Sequence, residues 1–219
     1  MFKKITISVL LQMFIFFFLV SVSHTVALSL NEEQVEDSLL RKLQDGGYIL
    51  YIRHGETTGQ DKPNLSFNDC STQKNLNEIG MKHAKALRTV FEKLKIPVEY
   101  PVLTSPYCRT RDTAEISFGK QNMALNENLA YIYYLDDGQL DDEQKKIKAN
   151  IIQMLETQPR HGTNKVIVGH SYPFHESING EIPNVGTVVL KPKGQGNGFE
   201  FVTLIQLEDW IRWSVDNRP

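Results

Sequence analysis

The chain has 219 residues, 41% of them hydrophobic and 23% charged, with a formal net charge of -2. That length and apolar content suit a single domain with a real core. The balanced charge excludes the basic footprint that would draw a nucleic-acid backbone, and nothing in the composition reads as disorder, collagen or a repeat array.

In chain order, Met1-Phe2-Lys3-Lys4 is a short basic start, and an apolar run from Ile5 to Val22 follows it. Thr25 and Ala27 then occupy the -3 and -1 positions of a cut before Leu28. A basic region, an apolar region and a small-residue site together describe a secretory signal over 1–27, leaving 28–219 as the mature domain. The competing reading is an uncleaved anchor, because the run approaches the ~18 residues of a spanning helix. On either reading the remainder works outside the cytoplasm, in the periplasm or at the cell surface, and the membrane is a partner only if the segment stays uncleaved. Such a compartment permits disulfides, so Cys70 and Cys108 can pair; the alternative is two independent buried thiols. Pairing is favoured because both fall beside motifs expected to converge on one pocket.

Ser29-Leu30-Asn31-Glu32 has the pattern of a capping box, and Val35, Leu39, Leu40 and Leu43 follow at helical spacing until Asp45-Gly46-Gly47. Tyr48-Ile49-Leu50-Tyr51-Ile52 reads as a strand buried on both faces and stops at Arg53-His54. A polar loop spans Thr58 to Lys74. Asn77 then caps a helix with the stripe Ala84, Leu87, Phe91 and Leu94. Val102-Leu103-Thr104 is a short strand ended by Ser105-Pro106, with a helix starting near Tyr107. A further helix is predicted from Asp142 to Leu155, and a strand over Lys165 to Val168 stops at Gly169-His170. Two β-like runs, Thr187 to Leu190 and Phe199 to Leu207, flank the glycine-rich turn Lys193 to Gly198. Strands alternating with helices predict an α/β three-layer sandwich, a mostly parallel central sheet flanked by helices, with no linker dividing the mature chain.

The polar residues fall where the apolar strands end: Arg53 and His54, then Arg109 just past Ser105-Pro106, then His170. Ligands bind at the carboxyl ends of parallel strands, so these distant residues are predicted to share a cleft. Such a set suits a phosphoryl group. Arginine forks hold phosphate oxygens bidentately, a neutral imidazole can carry the phosphoryl group, and a second histidine can face the equatorial oxygens. A proton donor for the departing alkoxide completes the requirement.

Arg53-His54-Gly55-Glu56-Thr57 resembles the signature of the histidine phosphatase superfamily, with its phosphoglycerate mutase-like fold. Leu76-Asn77-Glu78-Ile79-Gly80 resembles the family's next helix start, and Ser105 to Ala114 its second arginine motif. Val166-Ile167-Val168-Gly169-His170-Ser171 resembles the strand carrying its second histidine. The resemblance implies that His54 is the phosphorylated nucleophile and that Arg53, Arg109 and His170 form the phosphate pocket; Thr57, close by in sequence, is a candidate phosphate contact. It implies no metal and no cofactor, and a small phosphorylated substrate. Its first branch places a donor glutamate where Leu125-Asn126-Glu127 stands, making Glu127 the candidate, with Asp136 or Asp137 as alternatives. Ser171 stands where the second branch has its acid, and Gly59-Gln60 stands where mutases carry a Trp-Asn pair. The segment around Asp69-Cys70 resembles an exported bacterial subgroup with a cysteine here and another before the second arginine, which implies a Cys70–Cys108 disulfide.

The expected activity is thus metal-independent hydrolysis of phosphomonoesters through a phosphohistidine. Alternatives are a phosphohistidine phosphatase, mutase-type transfer, or binding of a phosphorylated envelope ligand without turnover. A cysteine-dependent phosphatase is excluded, since Ala114 stands where the arginine six positions after Cys108 would be. Arg111 is expected in a surface salt bridge or on substrate, Glu56 behind the contact residues, and Trp210 and Trp213 at a core edge.

Overall fold

The computed structural model describes residues 36–216. The expected signal segment, the capping box at Ser29 to Glu32 and Val35 lie outside the described residues. The chain divides into two compact units, Met1–Lys42 and Leu43–Pro219. Of the first, residues 36–42 are described and are helical; this helix, α1, ends at 45.

The second unit contains, in order, β1 (Ile49–Arg53), β2 (Thr57–Thr58), β3 (Asn75–Leu76), α2 (Glu78–Lys93), β4 (Val98–Thr104) and α3 (Cys108–Phe118). It continues with β5 (Met123–Leu125), α4 (Asp142–Glu156), β6 (Asn164–Gly169), α5 (His175–Ile178), β7 (Thr187–Pro192), β8 (Phe199–Ile205) and α6 (Leu207–Asp216). Six strands form one sheet in the order β5-β4-β6-β1-β7-β8. The first four run parallel, and β7 and β8 are antiparallel. The architecture is therefore α/β with a mostly parallel sheet and helices packed on it.

The apolar runs Ile49 to Ile52 in β1 and Val166 to Val168 in β6 follow from the central position of these strands, where both faces are covered. Ile49, Tyr51, Ile167, Val188 and Leu190 share one core with Ile151 and Leu155 of α4. The alternating residues Leu50, Ile52, Val166 and Val168 are equally buried and, by the period of two, face the other side. The register pairs Arg53 with Gly169 and Thr104 with Val168. The carboxyl ends of β4, β6 and β1 thus lie side by side, each handing the chain to a polar segment.

Two glycines hold the start of α2 against the end of β1. A Cβ on Gly55 would lie 2.7 Å from the Gly80 carbonyl oxygen, and one on Gly80 would run into the backbone of Glu56. Asn77 caps α2 by accepting from the Gly80 N–H at 2.8 Å, while its amide donates to Glu56 Oε1 at 2.7 Å. Glu56 therefore braces the helix start, as expected for a residue behind the contact groups.

Several elements differ from the sequence reading. β4 begins at Val98 rather than Val102, because its first half carries exposed residues and a register shift between Glu99 and Leu103; it has no apolar run to read. β5 is too short to signal itself, and Glu127–Leu135 forms 3-10 turns where no element was expected. β8 stops at Ile205, and Leu207, Trp210, Trp213 and Ser214 recur at helical spacing as the buried face of α6. Trp210 is wholly buried, 5.3 Å ring to ring from Trp213, and its indole N–H donates to Thr187 Oγ1 at 3.1 Å.

Candidate active site

His54 follows directly on β1, and its backbone N–H donates to the Gly169 carbonyl at 3.0 Å. The side chain is 5% exposed. Its Nδ1 lies 2.7 Å from the Gly55 carbonyl oxygen. A carbonyl only accepts, so Nδ1 carries the proton and Nε2 is left with a free lone pair. Burial pushes the His54 pKa down to about 3, and the charges of Arg109, Arg53 and Lys74 push the same way against the raising effect of the Gly55 hydrogen bond. The ring is neutral at physiological pH.

His170 leaves β6 and lies 5.8 Å from His54, ring centre to ring centre, at an interplanar angle of 73°. Its Nε2 is 2.9 Å from Ser105 Oγ, and the Tyr107 ring is 5.0 Å away, centre to centre, at an interplanar angle of 83°. Burial, with Arg109 and His54 next in effect, holds its pKa well below the usual value. Beneath it the Tyr51 hydroxyl accepts from the His170 N–H at 2.8 Å and donates to the Tyr172 carbonyl at 2.7 Å. Room for that hydroxyl exists because residue 169 is glycine; a Cβ there would collide with the phenol.

Arg109 sits in the first turn of α3, its guanidinium 4.1 Å over the Tyr107 ring. Its Nη1 donates to Asp61 Oδ1 at 3.2 Å. Arg53 Nη1 donates to the Ile182 carbonyl and reaches Glu181 Oε2 at 3.5 Å. The Nε atoms of both arginines are buried donors with no hydrogen-bond partner among the described residues. Thr113 ties the two motifs together, accepting from the Gly55 N–H at 3.1 Å and donating to the Arg109 carbonyl at 2.7 Å.

The structure thus brings Arg53, His54, Arg109 and His170 together. Thr57 lies in β2, paired with Leu76, which closes the loop over 59–74 at its base. Glu127 is exposed, and its carboxylate has no hydrogen-bond or ion-pair partner among the described residues. Asp136 is also exposed, and Asp137 accepts from the Gln139 N–H at 3.0 Å. Arg111 makes no salt bridge among the described residues: it donates to the Phe67 carbonyl at 3.2 Å and lies against both sulfurs of the Cys70–Cys108 disulfide. That disulfide, with a Cα–Cα distance of 5.7 Å, joins the 59–74 loop to the start of α3. Gln73 Oε1 reinforces it by accepting from the Cys108 N–H at 2.8 Å. Asp61 and Lys74, both in that loop, were not among the residues singled out from sequence. A polar loop carries no periodicity by which to find them.

Among the described residues no group of three or more His, Cys, Asp or Glu side chains is arranged to hold a metal ion, and no helix is long and apolar enough to cross a membrane. A neutral imidazole with Nδ1 committed and Nε2 open, under the positive charges of Arg109, Arg53 and Lys74, has the chemistry to attack an anionic group.

The model of the histidine phosphatase superfamily (branch 1) matches residues 49–173, more than half of the chain. No curated protein matches the sequence. Among solved structures the chain is similar to the protein histidine phosphatase SixA complexed with tungstate, with a TM-score of 0.48, 16% identity, and coverage of 74% of this chain and 98% of that one. It is also similar to a phosphoserine phosphatase from Entamoeba histolytica in complex with 3-phosphoglyceric acid (TM-score 0.45, 14% identity, 73% and 96% covered). A mycobacterial glucosyl-3-phosphoglycerate phosphatase complexed with VO3 gives a TM-score of 0.47 at 14% identity, with 72% and 98% covered.

Proposed function

The chain belongs to branch 1 of the histidine phosphatase superfamily, and from that premise we propose that it hydrolyses small phosphomonoesters outside the cytoplasm, without a metal, through a phosphohistidine on His54. The observation that carries this reading is the state of His54. Nδ1 is committed to the Gly55 carbonyl and burial keeps the ring unprotonated, so Nε2 offers a lone pair at all pH values well above about 3. Arg53 and Arg109 gather the phosphoryl oxygens, their buried Nε donors being free to do so. His170 faces the same oxygens from across the pocket and helps to hold the charge that spreads over them during transfer. Nε2 attacks phosphorus, the ester oxygen departs with a proton from a carboxyl group, and water then hydrolyses the phosphohistidine. The secretory pattern over 1–27 supports placing this activity outside the cytoplasm.

The test is hydrolysis of p-nitrophenyl phosphate in the presence of a chelator, with the His54→Ala variant as control. The expected result is turnover by wild type only, and an acid-labile, base-stable phosphate trapped on His54 after rapid quenching. Folded wild-type protein that turns over no faster than His54→Ala would refute the proposal.

A further inference from the structure

We infer that Asp61 is the carboxyl group that protonates the departing alkoxide, an assignment that rests on the phosphatase reading of the same pocket. A general acid must first be within reach of the leaving oxygen. Asp61 Oδ1 stands 3.2 Å from Arg109 Nη1, so it neighbours the group that a phosphate held by Arg109 would also touch. The three carboxylates expected from sequence, Glu127, Asp136 and Asp137, make no hydrogen bond or ion pair with Arg53, His54, Arg109 or His170 among the described residues. Glu181 does reach Arg53, but at 3.5 Å and with a side chain 56% exposed, against 34% for Asp61.

The anchoring of Asp61 favours it further. Oδ1 accepts from the Lys74 backbone N–H at 2.9 Å as well as from Arg109. Both donors belong to segments fastened to each other: Lys74 follows Gln73, which caps the Cys108 N–H, and the disulfide closes the same contact. With Oδ1 held by two donors, Oδ2 has no partner among the described residues and is the oxygen able to carry a proton.

His54 Nε2 forms a bond to phosphorus while the bond from phosphorus to the ester oxygen breaks, and that oxygen takes the proton from Asp61 Oδ2. Alcohol, phosphohistidine and the Asp61 carboxylate result. The carboxylate then removes a proton from a water molecule as its oxygen attacks the phosphohistidine. Inorganic phosphate leaves, with neutral His54 and protonated Asp61 restored.

Asp61→Asn separates proton delivery from positioning, because the asparagine Oδ1 can still accept from Lys74 and Arg109. The probes are p-nitrophenyl phosphate, whose phenolate departs without a proton at neutral pH, and glycerol phosphate, whose alkoxide cannot. The expected result is a loss of about 10²–10⁴ in kcat/KM, which reports only the steps up to departure of the alcohol, on glycerol phosphate and a much smaller loss in kcat/KM on p-nitrophenyl phosphate; kcat falls on both where dephosphorylation, which also uses Asp61, limits turnover. Asp61→Ala, which also frees Arg109, is expected to lower both. Equal losses in kcat/KM on the two substrates in Asp61→Asn would show a positioning residue only and overturn the assignment. So would a leaving-group-selective loss in Glu127→Gln or Glu181→Gln with Asp61→Asn unaffected. Wild type inert toward both substrates would instead overturn the phosphatase reading itself, and the donor assignment with it.

Discussion

Replacing both cysteines with serine removes the cross-link between the 59–74 loop and the start of α3. Cys70 and Cys108 are 38 positions apart. In the chain-entropy account a closed loop of that size withholds from the unfolded chain about 13 cal/mol/K, or about 4 kcal/mol at room temperature. The folded state loses less, since the Gln73–Cys108 hydrogen bond at 2.8 Å and the β2–β3 ribbon still hold the loop. The destabilisation therefore sits chiefly in the unfolded state. With a urea slope of about 2 kcal/mol/M, the midpoint should fall by about 2 M. Fluorescence of Trp210 and Trp213, which pack together on α6, reports the transition. Wild type measured with dithiothreitol should move toward the double variant, and the variant should keep most of its turnover in the absence of urea. A midpoint that shifts by less than about 0.5 M would refute the reasoning, since that is only about 1 kcal/mol at the same slope.

Tyr51→Phe removes the hydroxyl that accepts from the His170 N–H at 2.8 Å and donates to the Tyr172 carbonyl at 2.7 Å. Leaving a buried donor and a carbonyl unsatisfied should cost about 1–3 kcal/mol in urea unfolding and lower kcat by displacing His170; unchanged stability would show the hydroxyl to be dispensable. Burial holds His54 near a pKa of about 3 and His170 well below its usual value. Their folded values lie below the unfolded one, so the unfolded chain binds the extra protons. The stability these rings retain while neutral is therefore fully present above about pH 6.5 and is lost as the pH falls toward about 3. Between pH 7.5 and 5 the His54 ring should contribute a loss of about 2 kcal/mol, with His170 adding in the same direction, and His54→Gln should show correspondingly less loss; a wild-type urea midpoint that stays flat over that interval would contradict the buried, neutral assignment.

Arg53, His54 and His170 were legible because each sits where a run of buried apolar residues ends, and Arg109 because it stands in the first turn of the helix that follows β4. Ile49 to Ile52 and Val166 to Val168 are covered on both faces, so a change to Arg-His or Gly-His can only mark the strand's end. The glycines of those motifs also had a reason that sequence could flag but not explain. Gly55 meets Gly80, and Gly169 makes room for the Tyr51 hydroxyl, contacts between residues distant in the chain. Helix α6 was readable in principle from Leu207, Trp210 and Trp213, yet the β-prone run before it obscured its start. β5 and the 3-10 turns after it were not readable, having too few residues for any period to show.

What the sequence determined by itself was the alternation of strands and helices, the two arginines and two histidines at strand ends, and the pairing of its two cysteines as one choice of two. These are local or compositional facts, carried by periodicity and by abrupt changes of polarity. Which carboxylate faces the pocket belonged to the tertiary structure alone. Glu127 stands in the expected sequence context but is exposed without a partner, whereas Asp61, in a loop without pattern, is drawn onto Arg109 by the Lys74 N–H and held near it by the disulfide. Strand order made the difference: with β6 between β4 and β1 and all three parallel, the chain reaches the same edge of the sheet three times. The 59–74 loop is tied to the start of α3 by a cross-link between residues 38 positions apart.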